Sequence, residues 1–259
     1  MSDIATSFNA GMALWQENQD APWGRLRYTM VMANLADHLG AVPQQILDMG
    51  GGNGVEAILL AQRGHQITLV DFSSEMLAAA EQAIAAAGVT DKIALVEADI
   101  TALPQLFTAA SFDATLFHNV LQYVPDPIAA LRALHAVLRP GGLLSLGIIN
   151  PYSEVLGPAL RDYDLATALD NVGTKVKKKN IFGPHPLYTA EELTAMLTTA
   201  GFALQKHYGV RCLCDYMADN ARKADPQFFA QLETLELAVR DQYPFYLIAR
   251  FWHLLAQKR

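Results

Sequence analysis

Cysteine is nearly missing from this chain: Cys212 and Cys214 are the only two among 259 residues. That excludes a disulfide-stapled secreted framework. At i and i+2 on an expected strand the two thiols face the same side, where a bridge is disfavoured. They read as a buried, reduced pair with too few companions for a metal. Charge is scarce too, at 17% of residues, and its balance is acidic, with 19 Lys and Arg against 26 Asp and Glu. A net charge of −7 excludes a basic coat for nucleic acid but leaves room for a local basic patch. No apolar run reaches the roughly 20 residues that a membrane helix needs. No early basic stretch leads into a continuous apolar one, so the expected compartment is the cytoplasm and no membrane partner is expected. Internal repeats, low-complexity tracts and a clear linker are lacking. Apolar residues are plentiful at 52%, enough for a substantial core.

The informative stretch is Ile46-Leu47-Asp48-Met49-Gly50-Gly51-Gly52-Asn53-Gly54. A short apolar strand ends in a carboxylate, passes through a glycine-rich turn and enters a helix over 55–63. Glycines accept positive φ and let a ligand come close to the backbone. The N-terminus of the following helix offers unpaired N–H groups to an anionic group. A second strand, Gln66 to Val70, runs into Asp71, a carboxylate placed to accept hydrogen bonds from a ribose diol, with Phe72 beside it. Turn, helix and Asp71 in register describe a nucleoside-binding βαβ unit. The run is not the G-x-G-x-x-G of dinucleotide sites.

Before this unit, residues 1–22 read as irregular and 23–39 as a helix, with apolar residues at Leu26, Met30, Val31, Leu35 and Leu39. Arg27 on that helix can pair with a cofactor carboxylate or simply be a solvated surface arginine. After it, Ser73 or Ser74 caps a helix running to Ala87, which Gly88 stops. Strand three, 92–97, leads to Asp99 and Ile100. Asp99 sits at the carboxyl edge of the sheet, where ligands of such sheets bind, or simply caps the next turn. Strand four, 112–117, is followed by His118, a base or a packing and cofactor contact. Asp126-Pro127 opens a helix to Leu138, Arg139-Pro140-Gly141-Gly142 stops it, and strand five is expected over 143–149. Residues 150–188 break the alternation. They hold Lys175-Val176-Lys177-Lys178-Lys179, which is either a solvated loop or a patch that attracts phosphate. A helix over 189–199, strand six over 202–210, a helix from Asp225-Pro226 to Asp241 and a last strand over 245–256 follow. Alternating strands and helices predict an α/β fold: a Rossmann-like, doubly wound, mostly parallel sheet with an antiparallel last strand. The expected organisation is N-terminal cap helices at 1–39, a cofactor-binding core at 40–150, a substrate-side insertion at 151–188 and completion of the core sheet at 189–259.

The Asp48-x-Gly50-Gly51-Gly52-x-Gly54 run and the Leu138-Arg139-Pro140-Gly141-Gly142 run resemble the class I S-adenosylmethionine-dependent methyltransferases. The resemblance implies that the turn wraps the methionine part of S-adenosylmethionine, that Asp71 holds the ribose hydroxyls, and that the last strand inserts antiparallel beside the fifth. An Asn-Pro-Pro-Tyr run, associated with amino-group methylation, is lacking; His118-Asn119-Val120-Leu121 stands after strand four instead.

A narrower resemblance joins Gly24-Arg25-Leu26-Arg27, the glycine turn, Leu116 to Leu121, Lys177-Lys178-Lys179 and Gly209-Val210-Arg211-x-x-x-Asp215-Tyr216. Together these look like the bacterial tRNA 5-carboxymethoxyuridine methyltransferase family, which esterifies the carboxylate of a modified wobble uridine. It implies cofactor contacts at Arg27, Gly50, Gly51, Gly52, Asp71, Phe72, Asp99, Ile100 and His118. Lys177, Lys178, Lys179, Arg211 and Tyr216 would face the tRNA anticodon, with Arg211 as the residue on which transfer depends. A carboxylate is already ionised at neutral pH, so such a reaction needs cations to position its acceptor rather than a base. The alternative is a small-molecule acceptor for O- or C-methylation, which the acidic charge and the tyrosines of 150–188 favour. No metal is expected in either case.

Overall fold

The computed structural model describes residues 19, 21–177 and 183–259. Its first long helix, α1, is Pro22–Leu39. There follow β1 (Gln45–Met49), α2 (Val55–Gln62), β2 (Gln66–Asp71), α3 (Ser74–Ala87), β3 (Ile93–Glu97), β4 (Phe112–His118), α4 (Pro127–Val137) and β5 (Leu138–Ile149). Beyond residue 150, short helical turns and a two-stranded pairing of Val176–Lys177 with His185–Pro186 precede α5 (Ala190–Thr199). The chain ends with β6 (Phe202–Val210), α6 (Asn220–Ala224), α7 (Pro226–Val239), a helical turn at Phe245–Ile248 and β7 (Phe251–Lys258).

One seven-stranded sheet has the order β3-β2-β1-β4-β5-β7-β6. β1 pairs in parallel with β2 and β4, β2 with β3, and β4 with β5. The C-terminal strands are antiparallel and helices flank the sheet. The last strand therefore lies beside the fifth, as expected. The caps form as read: Ser73 Oγ accepts from the Met76 amide at 3.2 Å and Asp126 from the Ala129 amide at 2.9 Å, while Gly88 ends α3 at φ 69°. Each cap satisfies an amide that the helix itself leaves open.

Four expectations need correction. Strand five begins at Leu138, not 143, because Arg139 to Gly142 stay in the strand as an irregularity: Phe112 pairs with Leu138 and Ala114 with Leu143. The last strand is Phe251–Lys258, and Phe245–Ile248 is helical. An apolar run of four residues does not by itself distinguish the two. Here the Asn150 side chain donates to Leu247 O at 2.8 Å and Ala249 O at 2.6 Å, taking the carbonyls that a strand ladder would use. The helix after Asp225 ends at Val239, and α6 precedes it. The cysteines sit in a turn after β6 rather than on a strand, and both are buried and free.

Two compact units divide the chain. One is Leu35–Ile148, Ala190–Lys206 and Leu254–Arg259; the other is Met1–Asn34, Ile149–Thr189 and His207–His253. The core of the first holds Ile46, Leu47, Leu69, Leu116 and Leu146, that of the second Cys212, Val239 and Ala249. Among the described residues no helix is long and apolar enough to cross a membrane.

Candidate functional site

In the first unit the strands β1, β2 and β4 end on one edge, and the ends carry the expected residues. Gly50 and Gly52 take φ values of 75° and 56°, and Gly54, at 80°, starts α2. The turn is closed by Gly50 N–H donating to Val70 O at 2.7 Å and Gly54 N–H to Gly51 O at 3.0 Å. Space is as decisive as φ. A methyl group on Gly51 would lie 2.7 Å from Asp48 Oδ2 and 2.7 Å from Leu69 Cγ, and one on Gly50 would run into Val120. At Gly50 and Gly51 this backbone cradle thus has no room for a larger residue.

Asp71 ties the cradle to the tip of β2. Its Oδ2 accepts from Gly52 N–H at 3.0 Å and its Oδ1 from Ser73 N–H at 3.0 Å. Burial pushes its pKa up, against the lowering effect of the Ser73, Gly52 and Phe72 amides. Two carboxylate oxygens accept about four hydrogen bonds between them, so a ribose hydroxyl can still be taken. Phe72 next to it is 40% exposed, an apolar surface left open at the strand end. Asp99 caps the turn Ile100–Ala102, accepting from Thr101 N–H at 2.9 Å, and Ile100 is buried. A backbone cradle, a buried carboxylate beside it and an open aromatic face suit the amino-acid, ribose and base parts of S-adenosylmethionine.

His118, at the end of β4, has a partner that the sequence did not reveal. Its Nδ1 is 2.8 Å from Glu56 Oε2 and its Nε2 is 2.7 Å from Ser145 Oγ, all of them buried. A carboxylate cannot donate, so Nδ1 carries its hydrogen. The Ser145 hydroxyl occupies Nε2. Both nitrogens are committed, and the ring is a strut between α2, β4 and β5 rather than a base held ready for an acceptor. Gly147 makes room for it, since a methyl group there would be 3.1 Å from His118 Cδ2.

Of the remaining expected residues, Arg27, Lys177, Arg211 and Tyr216 lie in the second unit, and Arg27 and Arg211 stand, with Arg250, round Phe251. The guanidinium carbons of Arg27, Arg211 and Arg250 stand 6.0, 5.5 and 5.5 Å from its ring centroid. Arg27 also covers the Tyr28 ring at 4.8 Å, so it is not a solvated surface residue. Arg211 has a left-handed backbone, φ 60°, and grips Asp215 through Nε at 2.5 Å and through Nη2. Lys177 is not part of a solvated loop: its Nζ is 2.7 Å from Glu154 Oε1, and both side chains are largely buried. Lys178 and Lys179 lie outside the described residues. Arg250 reaches the same Glu154 oxygen at 2.7 Å and Ser153 Oγ at 2.8 Å. Tyr216 donates its hydroxyl to Ile248 O. Two cations therefore share one carboxylate. Burial works against the charge of Glu154, but Arg250 and Lys177 together hold its pKa below the usual range; Arg211 does the same for the buried Asp215. Among the described residues no group of three or more His, Cys, Asp or Glu could hold a metal.

Residues 47–146 match the family model described as a methyltransferase domain. The chain is 31% identical over 239 residues to the tRNA 5-carboxymethoxyuridine methyltransferase of Escherichia coli (strain K12), covering 91% of this chain and 89% of that protein. It is 30% identical over 166 residues to the ubiquinone biosynthesis O-methyltransferase of Xanthomonas axonopodis pv. citri, covering 64% of this chain and 65% of that one. Two solved structures share the fold. A possible histamine N-methyltransferase from Thermotoga maritima has a TM-score of 0.67 at 17% identity, covering 98% of this chain and 99% of that one. The 1,6-didemethyltoxoflavin-N1-methyltransferase of Burkholderia thailandensis, with S-adenosylhomocysteine bound, has a TM-score of 0.61 at 19% identity, covering 99% and 86%.

Proposed function

The chain belongs to the class I S-adenosylmethionine-dependent methyltransferases, and we propose that it transfers the cofactor's methyl group to the carboxylate of 5-carboxymethoxyuridine at a tRNA wobble position. In this reading Gly50, Gly51, Gly52, Asp71, Phe72, Asp99, Ile100 and His118 hold the cofactor. When bound, the cofactor supplies an electrophilic methyl on sulfur, which a carboxylate oxygen takes by in-line displacement: an O–C bond forms, an S–C bond breaks and no proton moves.

The observation that carries the reading is the cation cluster about Phe251. Among the described residues Lys177 and Arg250 share the single carboxylate of Glu154, which leaves positive charge in excess in a largely buried place. An acceptor carboxylate would balance it. Arg211 fits the same task. Asp215 uses its Nε and Nη2, and Nη1 has two more N–H groups on a guanidinium already fixed in plane. His118 supports the reading from the other unit: with both nitrogens engaged it is not set up to deprotonate a hydroxyl acceptor, and a carboxylate acceptor needs no base. The likeness to the Escherichia coli tRNA enzyme covers 91% of the chain and so takes in Gly209 to Tyr216. A tRNA acceptor would place the enzyme in the cytoplasm.

A second reading, a small-molecule acceptor, is favoured by the 30% identity to a ubiquinone biosynthesis O-methyltransferase. Labelled S-adenosylmethionine and bulk tRNA from cells lacking this protein separate the two. The expected result is label on RNA that mild base removes, the mark of a carboxyl ester. Base-stable label would keep the RNA and discard the ester. Unlabelled RNA, with cofactor binding shown in parallel, would move the assignment to a small molecule.

A further inference from the structure

We propose that Glu236 is a positioning residue for acceptor recognition, acting through the loop that carries Arg211; the inference rests on the acceptor role given to Arg211 above. Glu236 is fully buried on α7, in the apolar stripe Leu232, Glu236, Val239. A carboxylate in such a stripe is costly unless it is hydrogen-bonded. It takes three consecutive amides of the loop: Cys212 N–H at 2.6 Å on Oε2, and Leu213 N–H at 2.9 Å and Cys214 N–H at 2.7 Å on Oε1. From the other side the buried Lys223 reaches Cys214 O at 3.5 Å while lying over the Trp23 ring at 4.9 Å. The amides are thus held by an anion and a carbonyl by a cation.

The loop runs from one end of the Arg211–Asp215 pair to the other. Arg211 precedes the three amides in a left-handed conformation that a non-glycine residue does not keep without support. Asp215 follows them in the turn Cys214–Tyr216. Fixing residues 212–214 therefore fixes the separation and direction of the two side chains, and with them the plane of the guanidinium and the aim of Nη1. Gly209 completes the arrangement, because a methyl group there would lie 2.7 Å from Cys212 Sγ and 2.8 Å from Ala249 Cβ. The role is not one of general packing: an apolar side chain of similar size would fill the stripe, but three amides would have nothing to bond.

Glu236→Gln tests this, because its amide offers one acceptor in place of two and turns a donor toward the loop. The first readout is the Nε–H resonance of Arg211 in protein with 15N-arginine, which Asp215 shields from exchange. In Glu236→Gln it should exchange fast or vanish. The second readout is kinetic. KM for the RNA acceptor should rise roughly tenfold, the scale of a buried amide left unpaired, with kcat and cofactor Kd unchanged. Combined with Arg211→Lys, the effects should be no worse than the larger single effect, as expected of residues acting as one unit. Glu236→Asp, which keeps the charge and withdraws the oxygens, should show the same changes in smaller degree if the Gln variant does not fold. An unaltered Arg211 resonance, a fall in kcat at constant KM, or additive effects would overturn the proposal. If the wild-type enzyme forms no ester on RNA, the carboxylate reading fails by itself, and the resonance still decides the positioning role.

Discussion

At the scale of the residue, the lesson of Asp71 and Gly51 is that chemistry at this edge is held at some expense to the fold. The raised pKa of Asp71 means that the folded chain holds its proton more tightly than the unfolded one. Its ionisation therefore costs stability as pH rises past the unfolded value, the reverse of a carboxylate kept for packing. Such a group is a candidate for a binding site. Gly51 is the complementary case. Gly51→Ala would push a methyl group to 2.7 Å from both Asp48 Oδ2 and Leu69 Cγ, which belong to buried residues. The expected outcome is a loss of about 1–3 kcal/mol of stability, typical of overpacking, and failure to bind S-adenosylhomocysteine in calorimetry. Wild-type affinity in a folded Gly51→Ala protein would refute the close-approach argument.

At the scale of the element, the Arg211 loop and the segment holding Glu154 should set the acid limit of their unit. Asp215 and Glu154 are buried, which alone would raise their pKa values, but Arg211 in one case and Arg250 with Lys177 in the other bring them below the ordinary range. A depressed carboxylate contributes stability above its unfolded pKa, about 4, and that contribution is lost as pH falls through the lower folded value. Thermal unfolding between pH 7 and pH 3 should show a steep fall below about pH 4. Asp215→Asn should flatten the fall while costing about 3–5 kcal/mol at neutral pH, because it leaves the Arg211 charge uncompensated. A mutant as stable as the wild type at pH 7 would mean that the pair contributes nothing. What the sequence revealed and what it hid divide along the same lines. β1 to β4 were legible because apolar runs alternate with helices that carry local caps and stops, such as Ser73, Gly88 and Asp126, signals that need no tertiary knowledge. Most of the proposed cofactor residues were named for a similar reason, lying one after another at or just beyond strand ends. The partners of His118 were hidden, because Glu56 and Ser145 are 62 and 27 residues away from it. Glu236 did leave a trace, as the one charged residue in the stripe Leu232, Glu236, Val239, and a charge in an apolar stripe is a reason to look for buried amides. Phe245 to Ile248 was misread because nothing local shows that Asn150 would take its carbonyls.

At the scale of the whole molecule, the charge balance bears on how an RNA could be held. The chain carries a net charge of −7. Several of its cations already face carboxylates: Arg139 with Asp113, Arg161 with Asp162, Lys177 and Arg250 with Glu154, and Arg211 with Asp215. A cation paired within the protein releases few counterions when a phosphate arrives. Recognition should therefore rest on the acceptor carboxylate and a small number of phosphates, not on a basic track. For a single strand, log KM should rise with log salt at a slope of about 0.7 per phosphate neutralised. With two or three such contacts, the slope expected for the tRNA acceptor is roughly 1.5–2. The measurement is initial rate against tRNA concentration between about 50 and 200 mM salt, a range over which proteins with many phosphate contacts lose several orders of magnitude in affinity. A slope near zero would mean that no phosphate is touched, and the small-molecule acceptor would then be the better reading. A slope of about 5 or more would call for at least seven phosphate contacts, more than this acidic chain, with several of its cations already paired, should supply, and the proposed mode of recognition would fall.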